Sequence, residues 1–193
     1  MNAIRGISVR LGGRLQTRVA RPATLKQNIT KTLIQIMVMW LLFFIAGPVI
    51  VYRLETAAGL SRYRYASPRL RFVAATIFLM GWTLGWWSAW HMVAHGKGTP
   101  LPADTARELV LTGPYLYVRN PMAAGSVAQG IAIGLFLGSP LVTAYAITGA
   151  VGWDILIRPW EEADLARRFG PPYEQYRDTV RCWLPHLQPY SGI

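Results

Sequence analysis

Residues 32–52 read TLIQIMVMWLLFFIAGPVIVY, 21 consecutive positions without a charge. As a helix rising 1.5 Å per residue, the run is about 30 Å long, one hydrocarbon thickness. Backbone immersed in lipid must satisfy its own hydrogen bonds, and a helix does so within a single segment. The stretch therefore reads as a membrane span. Gly47 and Pro48 predict a kink near its end.

Similar runs follow. Residues 72–92 are apolar and carry Trp82, Trp86, Trp87 and Trp90, with His91 at the end. Tryptophans gathered this densely suit the membrane–water interface. Residues 122–138 and 141–157 are two shorter apolar runs of roughly 25 Å each. Gly138, Ser139 and Pro140 lie between them and predict a tight helical hairpin. Gly130, Gly134 and Gly138 fall four apart, so the first hairpin helix presents a bare stripe for close helix packing. The fold class is all-α, a polytopic membrane helical bundle of about four to five transmembrane helices with a C-terminal hairpin.

Composition agrees. The chain of 193 residues is 52% hydrophobic and only 15% charged, too apolar for an ordinary soluble domain. Its net charge of +11 comes from basic residues flanking apolar runs with no nucleic-acid motif beside them. That distribution fits an anionic lipid surface and argues against nucleic acid as a partner. The lone Cys182 excludes an internal disulfide, leaves the redox compartment open and reads as a packed small side chain.

Residues 1–30 carry six of the basic residues and no acid, with Ile4, Ile7, Leu11 and Leu15 at helical spacing. They read as a basic amphipathic helix on a membrane surface, with a solvated tail and a targeting segment as alternatives. Residues 31–193 read as one membrane domain. With four spans, 15 of the 20 Lys and Arg share one side with both termini, and the loop 53–71 holds the other five. The positive-inside rule puts both termini in the cytoplasm, with some of Arg53, Arg62, Arg64, Arg69 and Arg71 snorkelling at the opposite interface. The short chain and compact hairpin point to a prokaryotic inner membrane.

Only nine acids exist, so each position is informative. Asp154 lies inside an apolar run, where an acid is costly unless paired or facing a cavity. Arg158, Glu161 and Glu162 follow at i+4, i+7 and i+8 on the same helical face. This is either an Asp154–Arg158 pair on a solvated helix end, or a polar pocket with Glu161 and Glu162 at its mouth. Between the second and third spans, residues 93–121 are rich in Gly and Pro and form a shaped loop. It holds a GxG at Gly96 and Gly98. It ends in Gly113-Pro-Tyr-Leu-Tyr-Val-Arg-Asn-Pro121 at a helix start. Asn120 and Pro121 suit the cap and first helical position, and free N–H groups at such an end suit a polar ligand group.

Five segments taken together resemble a known family: GKGTPLP (96–102), GPYLYVRNPMAAG (113–125), EE (161–162), FGPPYEQY (169–176) and WLP (183–185). In order and spacing they look like the isoprenylcysteine carboxyl methyltransferase and phospholipid methyltransferase superfamily, over roughly residues 72–187. The resemblance implies a polytopic enzyme that uses S-adenosyl-L-methionine to methylate a lipid-like or prenylated acceptor from the bilayer. It implies a cytoplasmic cofactor pocket within residues 93–187. Gly96, Gly98, Thr99, Tyr115, Tyr117, Arg119, Asn120, Pro121, Met122, Gly125, Glu161 and Glu162 would line it, with Tyr173 and Tyr176 closing the tail over it. Arg119 and Glu162 match positions important for activity, and no metal is implied. Asn120 stands where the prenylcysteine branch has a histidine, and Ala123 where an aromatic is common.

Methyl transfer from a sulfonium needs chiefly alignment in a dry site. A carboxylate such as Glu162 suits ribose hydroxyls or an ammonium, and Tyr115 or Tyr117 suits the sulfonium or adenine. Arg119 suits the methionyl carboxylate or a carboxylate acceptor. His95 or a glutamate is a candidate base for an acceptor that must lose a proton. A prenylcysteine carboxylate, a phospholipid amine and a small thiol stay open as acceptors, as does the oligomeric state. The alternative is a nicotinamide-dependent membrane reductase of the sterol-reductase-like type.

Overall fold

The computed structural model describes residues 20–65, 67–100 and 105–192. The first 19 residues, and with them most of the basic amphipathic segment, lie outside the described residues. The described chain is helical, with no strands. In order it forms α1 (Leu25–Trp40), α2 (Gly47–Ala57), α3 (Pro68–Gly96), α4 (Pro121–Leu137), α5 (Pro140–Gly152), α6 (Arg158–Phe169) and α7 (Pro171–Thr179). Because α1 begins at Leu25, it runs across the 30/31 boundary.

Three helical stretches are long and apolar enough to cross a membrane: Leu25–Ala57, Pro68–Gly96 and Pro140–Phe169; the 17-residue α4 is a shorter apolar helix. The chain is thus an integral membrane helical bundle. The residues most apolar by type, among them Met37, Phe72, Met80 and Trp90, are exposed rather than buried. Only lipid makes such a surface favourable.

Two of these stretches are continuous where the sequence reading expected an interruption. A π-helical turn, Leu41–Ala46, joins α1 to α2 ahead of Pro48, and another, Trp153–Ile157, joins α5 to α6 ahead of Pro159. At the first, Gly47 N–H bonds the Leu42 carbonyl five residues back, and Pro48 has no N–H to offer. The Phe43 carbonyl accepts instead from the Tyr145 hydroxyl, at 3.5 Å. At the second, Arg158 N–H bonds the Trp153 carbonyl, and the Asp154 carbonyl accepts from Arg158 Nε at 3.4 Å. A wide turn before each proline, plus one side-chain donor, keeps the helix unbroken. The helix of the run 141–157 therefore does not end at residue 157 but continues to Phe169.

The chain forms two interleaved compact units. One comprises Leu33–Trp86 and Met122–Ala150. Its hairpin α4–α5 turns at Gly138, whose φ of +63° glycine adopts without strain. The glycine stripe packs as expected. A Cβ at Gly134 would meet the Thr143 backbone and one at Gly130 would meet Ala146. Gly81 on α3 and Gly125 on α4 meet face to face, each lying where a Cβ on the other would be 2.6–2.7 Å from a carbonyl oxygen.

The same unit holds a buried acid the sequence did not reveal. Glu55 is 1% exposed. Its Oε2 accepts from Ser139 Oγ at 2.6 Å and from Arg64 Nε at 3.0 Å. Arg64 also donates to the Tyr52 carbonyl and Thr56 hydroxyl, and its guanidinium lies 3.5 Å from the Tyr52 ring centroid. Tyr65 N–H bonds the Gly138 carbonyl beside it. Arg64 thus does not snorkel. It turns inward because an unpaired Glu55 would be a buried charge.

Candidate functional site

The other unit comprises the described residues 20–32 with Trp87–Pro121 and residues 151–192. It contains most of the residues singled out from the sequence. The segment before α4 is clipped to the C-terminal tail by backbone hydrogen bonds: Arg119 N–H to the Arg181 carbonyl, Asn120 N–H to Cys182, His186 N–H to Tyr117 and Tyr190 N–H to Leu116. Irregular backbone needs such partners, and the tail supplies them. The WLP motif belongs to that tail, which explains its place in the pattern.

Held this way, the Arg119 side chain is 12% exposed and meets α6, where its Nη2 lies 3.2 Å from Glu162 Oε1. Arg158 Nη1 approaches the same oxygen at 3.9 Å. One carboxylate therefore lies between two guanidiniums. Arg158 is also paired with Asp154 at 2.9 Å, the pair expected from the i,i+4 spacing. Asp154 takes a further partner that spacing did not suggest, Trp183 Nε1 at 2.7 Å, and the Trp183 ring meets Trp153 edge to face. The tail thus anchors on Asp154.

Arg119 is not fully used. Its Nε and Nη1 are buried and have no hydrogen-bond partner. A guanidinium seldom leaves two buried donors idle in a finished structure, since each such donor costs about 1–3 kcal/mol. Both atoms are charged donors that suit an anionic group.

The aromatic residues occupy other places. Tyr173 and Tyr176 are buried with Val180, packed by Leu109, Leu111, Leu165, Ala166, Phe169 and Tyr190. Tyr176 donates its hydroxyl to the Tyr115 carbonyl at 2.6 Å, and the buried Tyr115 hydroxyl lies 3.4 Å from the Ser88 carbonyl. Burial pushes both phenols above their ordinary pKa, so they stay protonated donors. Burial likewise raises the Cys182 thiol. These groups brace the Arg119 segment. Tyr117 is half-buried next to them.

Gly96 and Gly98 face the chain's own return. The Gly96 carbonyl accepts from Arg107 and Glu108 N–H, and a Cβ at Gly98 would sit 2.6 Å from the Ala106 Cα. Buried Thr99 bridges to Thr105. Arg168 holds this return from α6, donating to Thr105 Oγ1 and the Ala106 carbonyl and pairing with the buried Asp164. Nothing in the sequence marked Arg168; a cation on the last turn of a helix is too common to stand out. His95 stacks on His91 at 5.1 Å and is exposed. Glu161 is half-buried beside Glu162, and Pro121 begins α4, as expected.

Met122 and Gly125 belong to the other compact unit, where Gly125 meets Gly81. Gly125→Ala should lower stability by about 1–3 kcal/mol, because the added methyl forces two backbones apart. A thermal unfolding comparison checks this; an unchanged midpoint would refute the packing role.

A family model described as phospholipid methyltransferase matches residues 70–171. The chain belongs to the phospholipid methyltransferase family. No curated protein matches this family member as a relative. The match takes in the loop, Arg119 and Glu162, while the tail beyond 171 lies outside it. Membership makes the protein a membrane methyltransferase.

Proposed function

We propose that this methyltransferase transfers the methyl group of S-adenosyl-L-methionine to a lipid-like acceptor drawn from the bilayer. The observation that carries the reading is the pair of idle buried donors on Arg119, with Glu162 fixed beside it. A cofactor bearing both a carboxylate and an ammonium fits these two side chains: an idle Arg119 donor would take the carboxylate, and Glu162 the ammonium or ribose hydroxyls. The sulfonium supplies an electrophilic methyl when bound. The protein's own part is to hold, orient and keep water away. Arg119 is positioned by the 181–190 tail, and Glu162 by α6 and Arg158.

In this reading residues 93–187 are the cofactor-binding part of a single membrane domain over 31–193. Gly96, Gly98, Thr99, Tyr115, Tyr117, Tyr173 and Tyr176 serve chiefly to shape and brace it. Charge distribution favours cytoplasmic termini, and the compact hairpin favours a prokaryotic inner membrane. The acceptor is lipid-like, of the phospholipid or prenylcysteine kind.

Isothermal titration of the purified protein with S-adenosyl-homocysteine tests the reading, with Glu162→Ala and NADPH as comparisons. Micromolar binding that Glu162→Ala weakens at least tenfold is expected. Well-folded protein that binds no S-adenosyl-homocysteine, or binds only NADPH, would overturn it.

A further inference from the structure

Helix α1 enters the bundle with two polar side chains turned inward. Asn28 is 2% exposed and Thr32 4%. They are four residues apart, on one face. Asn28 Oδ1 and Thr32 Oγ1 are both buried without a hydrogen-bond partner. The Thr32 case is informative because this chain has a habitual answer for helical threonines. Thr30, Thr56, Thr76, Thr83, Thr143 and Thr179 each donate to the carbonyl four residues earlier. Thr32 forgoes that bond. An unused hydroxyl and an unused amide oxygen side by side, in a helix bound for lipid, are unfavourable unless something else binds them.

Both residues belong to the compact unit that contains Arg119 and Glu162. Their needs differ from those of Arg119. The arginine offers donors and calls for an anion, whereas an amide oxygen only accepts and calls for a donor. They also lie outside residues 70–171, the part that matches the family model.

We infer that Asn28 and Thr32 are specificity residues that receive the hydrogen-bond-donating headgroup, amine or hydroxyl, of the bilayer-borne methyl acceptor. The inference rests on the proposed methyltransferase reading. It divides the labour: Arg119 and Glu162 hold the cofactor, and the entry turns of α1 read the acceptor. A headgroup with N–H or O–H satisfies both oxygens, and a fully methylated one satisfies neither. Product therefore leaves more readily than substrate.

The full-length protein in detergent is heated with dodecylamine or with dodecyltrimethylammonium, which share chain and charge but differ in N–H donors. Dodecylamine should raise the unfolding midpoint by about 4 °C at ten times its dissociation constant, and the quaternary probe should not. The double variant Asn28→Leu, Thr32→Val should lose that shift, keep its S-adenosyl-homocysteine affinity and unfold no earlier than wild type when unliganded. Equal shifts with both probes, or a retained shift in the variant, would overturn the inference. An earlier-unfolding variant would reveal protein partners for these oxygens and refute it as well. A fall in S-adenosyl-homocysteine affinity would assign the pair to the cofactor instead. Absence of S-adenosyl-homocysteine binding to the wild type, by contrast, strikes the methyltransferase reading itself.

Discussion

Arg119→Lys should weaken S-adenosyl-homocysteine binding about 100-fold. Lysine keeps the charge but not the plane, and a single ammonium cannot serve Glu162 and also present donors fixed away from it. In the wild type Nη2 is committed to Glu162 at 3.2 Å, which leaves Nε and Nη1 as preformed idle donors. Losing a hydrogen bond to a charged group removes up to about 3 kcal/mol, which is the predicted factor. Titration calorimetry on folded variant protein measures it directly. Equal affinities would detach Arg119 from the cofactor and leave its idle donors unexplained. Arg119→Ala should bind no more tightly, because it also leaves Glu162 with only the long 3.9 Å contact to Arg158.

Glu55→Ala should be the most damaging substitution for stability. It removes the acceptor of Ser139 and Arg64 together and leaves a guanidinium that is only 18% exposed without its carboxylate. Breaking one partner of a buried pair costs about 3–5 kcal/mol, equivalent to a midpoint roughly 10 °C lower for a chain of this size. Glu55→Gln keeps both acceptor contacts without the charge and should lose about half as much. Cofactor affinity should survive in both variants that remain folded. A midpoint within 2 °C of wild type for Glu55→Ala, within measurement error of about that size, would show that Arg64 finds water or lipid headgroups instead.

The spans were legible because an apolar run of 17–21 residues with at most one acid admits few interpretations in lipid. The hairpin at Gly138 was legible from Gly-Ser-Pro, and the Asp154–Arg158 pair from its spacing. What the sequence concealed depends on residues far apart in the chain. No local pattern links Glu55 to Ser139, 84 positions away, or Asp154 to Trp183, 29 away. The length of the last helix was hidden for another reason. Pro159 and the charges after it imitate a helix end, and only the wide turn at Trp153–Ile157 prevents one. Glycines were ambiguous in principle, since close approach of a ligand and of the chain's own backbone make the same demand. At Gly98 and Gly125 the neighbour is backbone. Arg119 was legible as a residue to single out. Its idle donors were not, because an idle donor is a property of a folded neighbourhood.

The two wide turns carry a further consequence. A π turn is an α-helix that has absorbed one extra residue, so everything beyond it is rotated by about 100° around the axis. Deleting a single residue from 41–46 would swing Glu55 away from Ser139, and deleting one from 153–157 would swing Glu162 away from Arg119. Each long helix is in effect two faces joined by a one-residue phase shift. On one, lipid-facing residues precede a buried latch; on the other, the same shift separates a membrane-spanning half from the half that carries Glu162. Point substitutions scattered along these helices preserve that phase, and single-residue indels do not. Lineages of this protein should therefore vary freely in side chain there while holding their length constant.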